Sequence, residues 1–138
     1  MRPALADLLD LAPHPEGGWF RQTWASSESI TLSDGRVRPA ATLIHFLLLA
    51  GESSAWHRVA SAELWLAHSG VVTLELGGVD PAPVGAEALV VGSDVSTGQF
   101  AQALVPAGVW QRTVPGGGDA LVSCLVSPGF DFADFELA

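Results

Sequence analysis

Turn-forming residues interrupt this chain so often that long helices are excluded, and this spacing constrains the fold more than any other feature. Fifteen Gly and nine Pro are spread over 138 residues. Between them lie short apolar segments that begin about every 8–12 residues, which is typical of antiparallel sandwiches and barrels. The predicted strand segments are residues 18–24, 40–49, 54–58, 62–68, 71–76, 88–91, 99–105, 109–114, 119–126 and 131–137.

The pattern within these segments supports the same class. Apolar and polar residues alternate over residues 71–76. In residues 120–126, the set Ala, Val, Cys, Val alternates with Leu, Ser, Leu, and both patterns predict strands buried on one face. The opening segment, residues 4–12, predicts one short amphipathic helix that ends at Pro13. A chain of this length supports one core. We therefore expect a single all-β domain over residues 1–138, with at most short helices.

Composition excludes several function classes. The net charge is −9, from 15 acidic against six basic residues, and the chain has no basic stripe to bind nucleic acid phosphates. The most apolar uncharged stretch, residues 39–50, is too short to cross a bilayer. The N-terminal residues make a poor signal peptide, and the single Cys124 fits a reducing compartment. We expect a cytoplasmic protein without a nucleic acid or membrane partner.

Residues 51–70 contain polar groups at a defined spacing. Five residues separate Gly51 from His57, and six residues separate Glu63 from Gly70. Further along the chain, Pro106-Ala107-Gly108 precedes Gln111. Imidazole and carboxylate groups in this arrangement are candidates for proton transfer or metal binding.

These spacings resemble the two sequence motifs of the cupin superfamily. Three further segments look like a functionally uncharacterised cupin branch whose barrel is similar to that of RmlC-type deoxysugar epimerases. They are His-Pro-Glu-Gly-Gly-Trp-Phe-Arg (14–21), Val-Pro-Ala-Gly-Val-Trp-Gln (105–111) and Ser-Pro-Gly-Phe-Asp-Phe (127–132). The resemblance spans roughly residues 11–137. It implies an antiparallel jelly-roll barrel, usually a homodimer, with a pocket at one end. It implies no known reaction.

The resemblance also permits a prediction about metal. Metal-binding cupins supply three histidines and one glutamate, which in this chain align with His57, Val59, Glu63 and Gln111. Valine cannot bind a metal and a neutral amide is a weak ligand. We therefore expect no metal site and no cofactor, which disfavours a metal-dependent oxygenase or isomerase.

Without a metal, His57 and Glu63 are the predicted catalytic residues. A histidine oriented by a carboxylate is a general base near neutral pH. Two interpretations stay open. One is an isomerase or epimerase acting on a sugar derivative or similar polar metabolite; the other is a non-catalytic protein that binds a small molecule. A hydrogen bond that only satisfies two buried groups explains the pair equally well.

Several other residues are predicted to contact the ligand. Aromatic side chains commonly form the walls of pockets, and arginine binds anionic groups, so an arginine is expected at the mouth. Strand alternation predicts that only one of Trp110 and Gln111 points inward. The predicted ligand-binding residues are Arg21, His45, Trp65, His68, Trp110, Gln111 and Phe130. The apolar segment 42–49 is predicted to pack against a second copy of the chain.

Overall fold

The computed structural model describes residues 2–85 and 87–138, which form an all-β domain with one short α-helix. The helix is α1 (Ala4–Leu9), and residues Val95–Thr97 and Phe132–Asp134 form 3₁₀ turns. The strands are β1 (Ala12–Pro13), β2 (Trp19–Ala25), β3 (Ser29–Thr31), β4 (Val37–Pro39), β5 (Thr42–Leu48), β6 (His57–Val59), β7 (Ala62–Ser69), β8 (Val72–Leu76), β9 (Glu87–Val91), β10 (Gln102–Val105), β11 (Gln111–Val114), β12 (Ala120–Ser127) and β13 (Phe135–Leu137).

The strands form two main sheets. One has the order β1-β2-β5-β12-β7-β10, and the other has the order β13-β6-β11-β8-β9. Pairs of neighbouring strands within them are antiparallel. The hairpin of β3 and β4 forms a separate ribbon. This arrangement confirms the predicted jelly-roll barrel.

Helix α1 covers part of the outer face of the larger sheet. It buries Ala6, which packs with Leu11 and with Leu47 of β5. The helix ends at Leu9, before the predicted end at residue 12, because Asp10 adopts a left-handed conformation with φ 56°. No helix in the described ranges is long and apolar enough to cross a membrane.

Side chains fill one half of the barrel interior. Trp65 of β7 and Phe46 of β5 are both fully buried, and their rings meet edge to face at 5.8 Å between centroids. Apolar residues from both sheets surround them, among them Leu74 of β8, Val105 of β10 and Val122 of β12. This packed half leaves the other end of the barrel free for a cavity.

Candidate functional site

The open end of the barrel contains a cavity of about 310 Å³. It lies between β2, β5, β7 and β12 of the larger sheet and β6 of the smaller one. The loop before β2 and residues 130–135 complete its wall. The lining residues are His14, Glu16, Phe20, Gln22, Thr42, Ile44, His57, Val59, Glu63, Cys124, Val126, Phe130, Asp131, Phe132 and Phe135.

Glu16 reaches the cavity through the loop that precedes β2. The backbone N–H of Ala55 donates to the Glu16 carbonyl at 2.7 Å, which ties this loop to the segment before β6. Gly17 has φ 109°, and a side chain there would collide with the Ser53 carbonyl oxygen. Only glycine fits this position, because the conformation is unfavourable and the backbones touch. The close approach places the Glu16 side chain beside His57.

His57 is held at both ring nitrogens. Its Nδ1 lies 2.7 Å from the Ala55 carbonyl oxygen, and its Nε2 lies 2.6 Å from Oε2 of Glu16. A carbonyl oxygen only accepts hydrogen bonds, so Nδ1 carries a proton. Burial alone would lower the pKa of His57, but the charge and hydrogen bond of Glu16 outweigh it and raise that pKa. The two residues form a buried ion pair.

His14 lies on the other side of Glu16 and is uncharged. The backbone N–H of Glu16 donates to His14 Nδ1 at 3.1 Å, so that nitrogen carries no proton. Burial lowers the pKa of His14; the charge of His57 lowers it further, while that of Glu16 opposes the shift. His14 therefore contributes a neutral ring to the cavity wall.

Glu63 is bound by a chain of hydrogen bonds instead of by His57. Gln111 Nε2 donates to Glu63 Oε1 at 2.7 Å, and Trp65 Nε1 donates to Gln111 Oε1 at 2.9 Å. The indole N–H can only donate, which fixes the orientation of the amide. The expectation that Glu63 orients His57 is therefore corrected: Glu16 and the Ala55 carbonyl do so.

Burial leaves Glu63 with a pKa suited to proton exchange at neutral pH. Burial raises the pKa of Glu63 to about 7; the charge of His57 opposes this rise and that of Glu16 adds to it. Burial also raises the pKa of the Cys124 thiol well above its usual range, with help from the charges of Glu63 and Glu16. The thiol thus stays protonated beside Glu63. Of the Glu63 carboxyl and the Cys124 thiol, the carboxyl is the group that changes charge near pH 7.

Residues 130–135, which we call the aromatic segment, close part of the cavity mouth. Phe130, Phe132 and Phe135 contact one another edge to face, with centroids 4.8 to 6.2 Å apart. The Asp131 side chain accepts a hydrogen bond from the Ala133 N–H and starts the 3₁₀ turn. Asp131 and Phe132 are exposed at the mouth.

The predicted site residues divide between the cavity and other places. His57, Glu63 and Phe130 line the cavity. Trp65 and Gln111 lie behind it, where they support Glu63. Trp110 points away from it, as strand alternation requires when Gln111 points inward; its indole donates to the Asp80 carbonyl and the Arg58 guanidinium lies over the ring.

Three predicted ligand-binding residues lie on the outer face of the larger sheet, which corrects their expected placement. Arg21 and His45 are paired neighbours on β2 and β5, on the side opposite to the cavity-lining Ile44. His68 contacts Ser123 Oγ through Nε2 at 2.6 Å, and its ring is 6.4 Å from that of His45. An arginine was expected at the mouth of the cavity, but the charged residue that lies there is Asp131.

His14 and Glu16 are site residues that the sequence does not predict. Their Pro-Glu-Gly-Gly context signals a turn that leads into a strand. The available signal is a histidine and a glutamate on either side of a proline, directly before two glycines. That pattern does not reveal which segment the turn touches, and the contact with His57 depends on it.

Comparison with known proteins shows which family the chain belongs to. The family model described as "Cupin superfamily (DUF985)" matches residues 4–138. The chain belongs to this cupin family. A hypothetical protein from Leishmania major is 34% identical to the cupin, with a TM-score of 0.87 over 99% of this chain and 88% of the other. A Shewanella oneidensis protein is also 34% identical, with a TM-score of 0.84 over 100% and 85%.

A more distant structure shares only the fold. A variant of oxalate decarboxylase from B. subtilis is 15% identical to the cupin, with a TM-score of 0.64. The alignment covers 94% of this chain and 31% of that one. A comparison with curated proteins gives no match.

The side chains of this cupin do not fit the metal that other cupins bind through three histidines and a glutamate. Val59 offers no donor, Gln111 turns its N–H group towards Glu63, and Nε2 of His57 is engaged by Glu16. Among residues 2–85 and 87–138, no three His, Cys, Asp or Glu side chains are grouped to hold one ion. We predict that plasma mass spectrometry of the purified protein finds no stoichiometric iron, manganese, nickel or zinc. About one metal per chain, lost on His57→Ala, would contradict this.

Proposed function

We propose that this cupin binds a small organic molecule in the cavity and moves a proton to or from it without a metal, as isomerases and epimerases do. The observation that carries the proposal is Glu63, a buried carboxyl group with a pKa near 7 that lines a cavity open to solvent. Perturbed carboxyl groups in pockets are typical of catalytic acids and bases. A general acid or base works best when its pKa lies near the working pH.

Glu63 is the proton-transferring group in this proposal, and His57 supports it. The Nε2 of His57 is occupied by Glu16 at 2.6 Å, so that nitrogen is not available to a substrate. The positive charge of His57 lowers the pKa of Glu63, and its loss would raise that pKa further. His57 is thus a positioning and electrostatic residue, whereas Glu63 exchanges the proton. A positioned general base of this kind contributes about 10²–10⁴-fold to a rate.

The lining favours a substrate with an apolar body over a sugar. Ile44, Val59 and Val126 face the cavity together with four phenylalanines. A sugar needs a hydrogen-bond partner for most of its hydroxyl groups, and burying unpaired groups against hydrocarbon is costly. We therefore propose an isomerisation that removes and returns a proton at a carbon atom of the substrate. The substrate in this proposal is not a sugar.

Hydrogen–deuterium exchange tests the proton transfer on many candidate substrates at once. The protein is incubated in ²H₂O with a filtered small-molecule extract of yeast cells, and mass spectrometry identifies compounds that gain one deuterium at carbon. Glu63 accepts the proton, exchanges it with solvent and returns a deuteron to the carbon. We expect at least one compound to be labelled by the wild type and not by Glu63→Gln. Glu28→Gln, which changes an exposed carboxyl, is the matched control.

A non-catalytic binding protein is the alternative outcome. It has the same cavity but no need for a carboxyl with a shifted pKa. If a compound co-purifies with the protein and neither the wild type nor any variant exchanges its carbon-bound hydrogens, the cavity binds without catalysis. Equal labelling by the wild type and Glu63→Gln would assign proton transfer to another group.

A further inference from the structure

The charges around the cavity select against an anionic ligand. Three carboxyl groups line it, from Glu16, Glu63 and Asp131. The charge of Glu16 is balanced by His57 at 2.6 Å. No cation among the lining residues is bonded to Glu63 or Asp131, although the charge of His57 acts on Glu63 and that of Arg38, outside the lining, acts on Asp131. All six basic residues of the chain are arginines, and none is among the lining residues. A carboxylate or phosphate in the cavity would find no guanidinium to bind it.

The phenylalanine side chains that line the cavity add a second preference, for a cationic ligand. Phe20 faces the aromatic segment, with its ring 6.4 Å from that of Phe132. Phe132 in turn lies 4.8 Å from Phe130 and 5.8 Å from Phe135, both edge to face. The face of an aromatic ring attracts a cation within about 6 Å of its centre. Phe132 is 49% exposed, so its ring is accessible at the mouth.

The dimensions of the cavity limit the ligand to a compact molecule. Its volume of about 310 Å³ lies at the lower end of the range of about 300–1,000 Å³ that is usual for small-molecule pockets. The packed rings of Trp65 and Phe46 close the barrel behind it. A nucleotide-linked or otherwise extended substrate would have to lie largely outside.

Building on the proposed function, we infer that the ligand is a compact amine, with a protonated nitrogen and an apolar body. The carboxyl groups of Asp131 and Glu63 supply the negative charge for the ammonium group. The phenylalanines of the wall and the aliphatic side chains of β5, β6 and β12 contact the body. This assignment replaces the anionic or polar group that an arginine at the mouth would have bound.

Three probes of the same carbon skeleton test the assignment: benzylamine, benzyl alcohol and benzoate. Their binding to the intact protein is measured at pH 7.5 by ligand-observed NMR and calorimetry. We expect benzylamine to bind at least about tenfold more tightly than benzyl alcohol, and benzoate to bind most weakly. Asp131→Asn keeps the hydrogen bond to Ala133 but removes the charge, and should reduce the preference for the amine several-fold. Glu28→Gln should leave all three affinities unchanged.

A second variant separates the aromatic contribution from the charge. Phe132→Leu keeps an apolar side chain at the mouth, so it should weaken benzylamine more than benzyl alcohol. Equal binding of amine and alcohol, or tighter binding of benzoate, would overturn the amine assignment and leave the cavity as a binding site. Benzylamine binding that no cavity variant alters, or no binding of any probe, would also overturn it. The deuterium-exchange experiment decides the proposed proton transfer independently, because it uses no amine probe.

Discussion

At the residue scale, Glu63 and His57 sit in one cavity but face different partners. Glu16 forms an ion pair with His57, whereas Glu63 is bound by the neutral Gln111 and Cys124. A buried carboxyl without a directly bonded cation keeps its proton to a higher pH than one in water. Because of this difference, the ionisation of Glu63 makes the free energy of unfolding depend on pH.

The pKa shift of Glu63 predicts that the folded state loses stability as the pH rises. The pKa rises from 4.5 in the unfolded chain to about 7 in the folded one, so between these values the folded state binds more protons at this site. The unfolding free energy then falls across this window, by up to about 3 kcal/mol. In Glu63→Gln this contribution is missing. Urea unfolding at pH 5 and pH 8 should show a smaller fall for Glu63→Gln than for the wild type.

Glu28→Gln is the control for this comparison, because its carboxyl is exposed and it should follow the wild type. Parallel pH dependence of the wild type and Glu63→Gln would show that Glu63 ionises normally in the folded state.

At the scale of elements, the β3–β4 hairpin holds the aromatic segment in place. Arg38 of β4 binds Asp134 through two parallel hydrogen bonds of 2.8 and 2.9 Å, and Arg36 contacts the same carboxylate at 3.0 Å. These cations lower the pKa of Asp134, chiefly through the hydrogen bonds from Arg38. The 3₁₀ turn of residues 132–134 is thereby attached to a ribbon outside the two main sheets.

Loss of this attachment should loosen the cavity mouth. Arg38→Met removes the paired hydrogen bonds but keeps an unbranched side chain, so we expect faster amide hydrogen exchange across residues 130–137. Arg112→Met is the matched control, because Arg112 pairs with Glu75 on the smaller sheet. Unchanged exchange at residues 130–137 in Arg38→Met would show that the hairpin does not hold the segment.

The strands that line the cavity were predictable, whereas the hairpin was not. Apolar segments such as residues 62–68 and 119–126 correspond closely to β7 and β12, because both are short, mostly apolar runs that end at turn residues. The β3 and β4 strands have no such face and are mostly polar or exposed. The sequence predicts a strand over residues 131–137. Residues 132–134 instead form a 3₁₀ turn, because the Asp131 side chain accepts a hydrogen bond from the Ala133 N–H.

The candidate site was predictable only in part, for a related reason. His57 and Glu63 follow from motif spacing, since alternation along β6 and β7 places both inward. The contact between Glu16 and His57 arises where a loop meets a distant segment, at Gly17 and Ser53. Periodicity within a strand contains no information about such a contact.

At the scale of the whole molecule, an apolar row crosses the outer face of the larger sheet. Paired positions on β2, β5, β12, β7 and β10 place these side chains side by side. Helix α1 covers a different part of this face, around Leu47. Trp24 is 49% and Leu104 53% exposed at the two ends. The row consists of Trp24, Leu43, Leu125, Leu64 and Leu104.

We propose that a second copy of the chain covers this row, as a two-fold dimer. Light scattering at micromolar concentration should return the mass of a dimer, and Leu125→Glu should return that of a monomer, because a carboxylate would be buried in the contact. Leu8→Glu changes an exposed leucine of α1 and should remain dimeric. A monomeric wild type would contradict the proposal.

A direct titration tests whether Glu63 exchanges a proton at neutral pH. Protein labelled with ¹³C at the glutamate side-chain carboxyl is titrated by NMR from pH 4 to pH 9, beside Glu63→Gln to assign the signal. We expect one glutamate carboxyl with a pKa of about 7 that is missing from the variant. A Glu63 signal that titrates near its ordinary value of 4.5 would show that Glu63 does not exchange a proton at neutral pH.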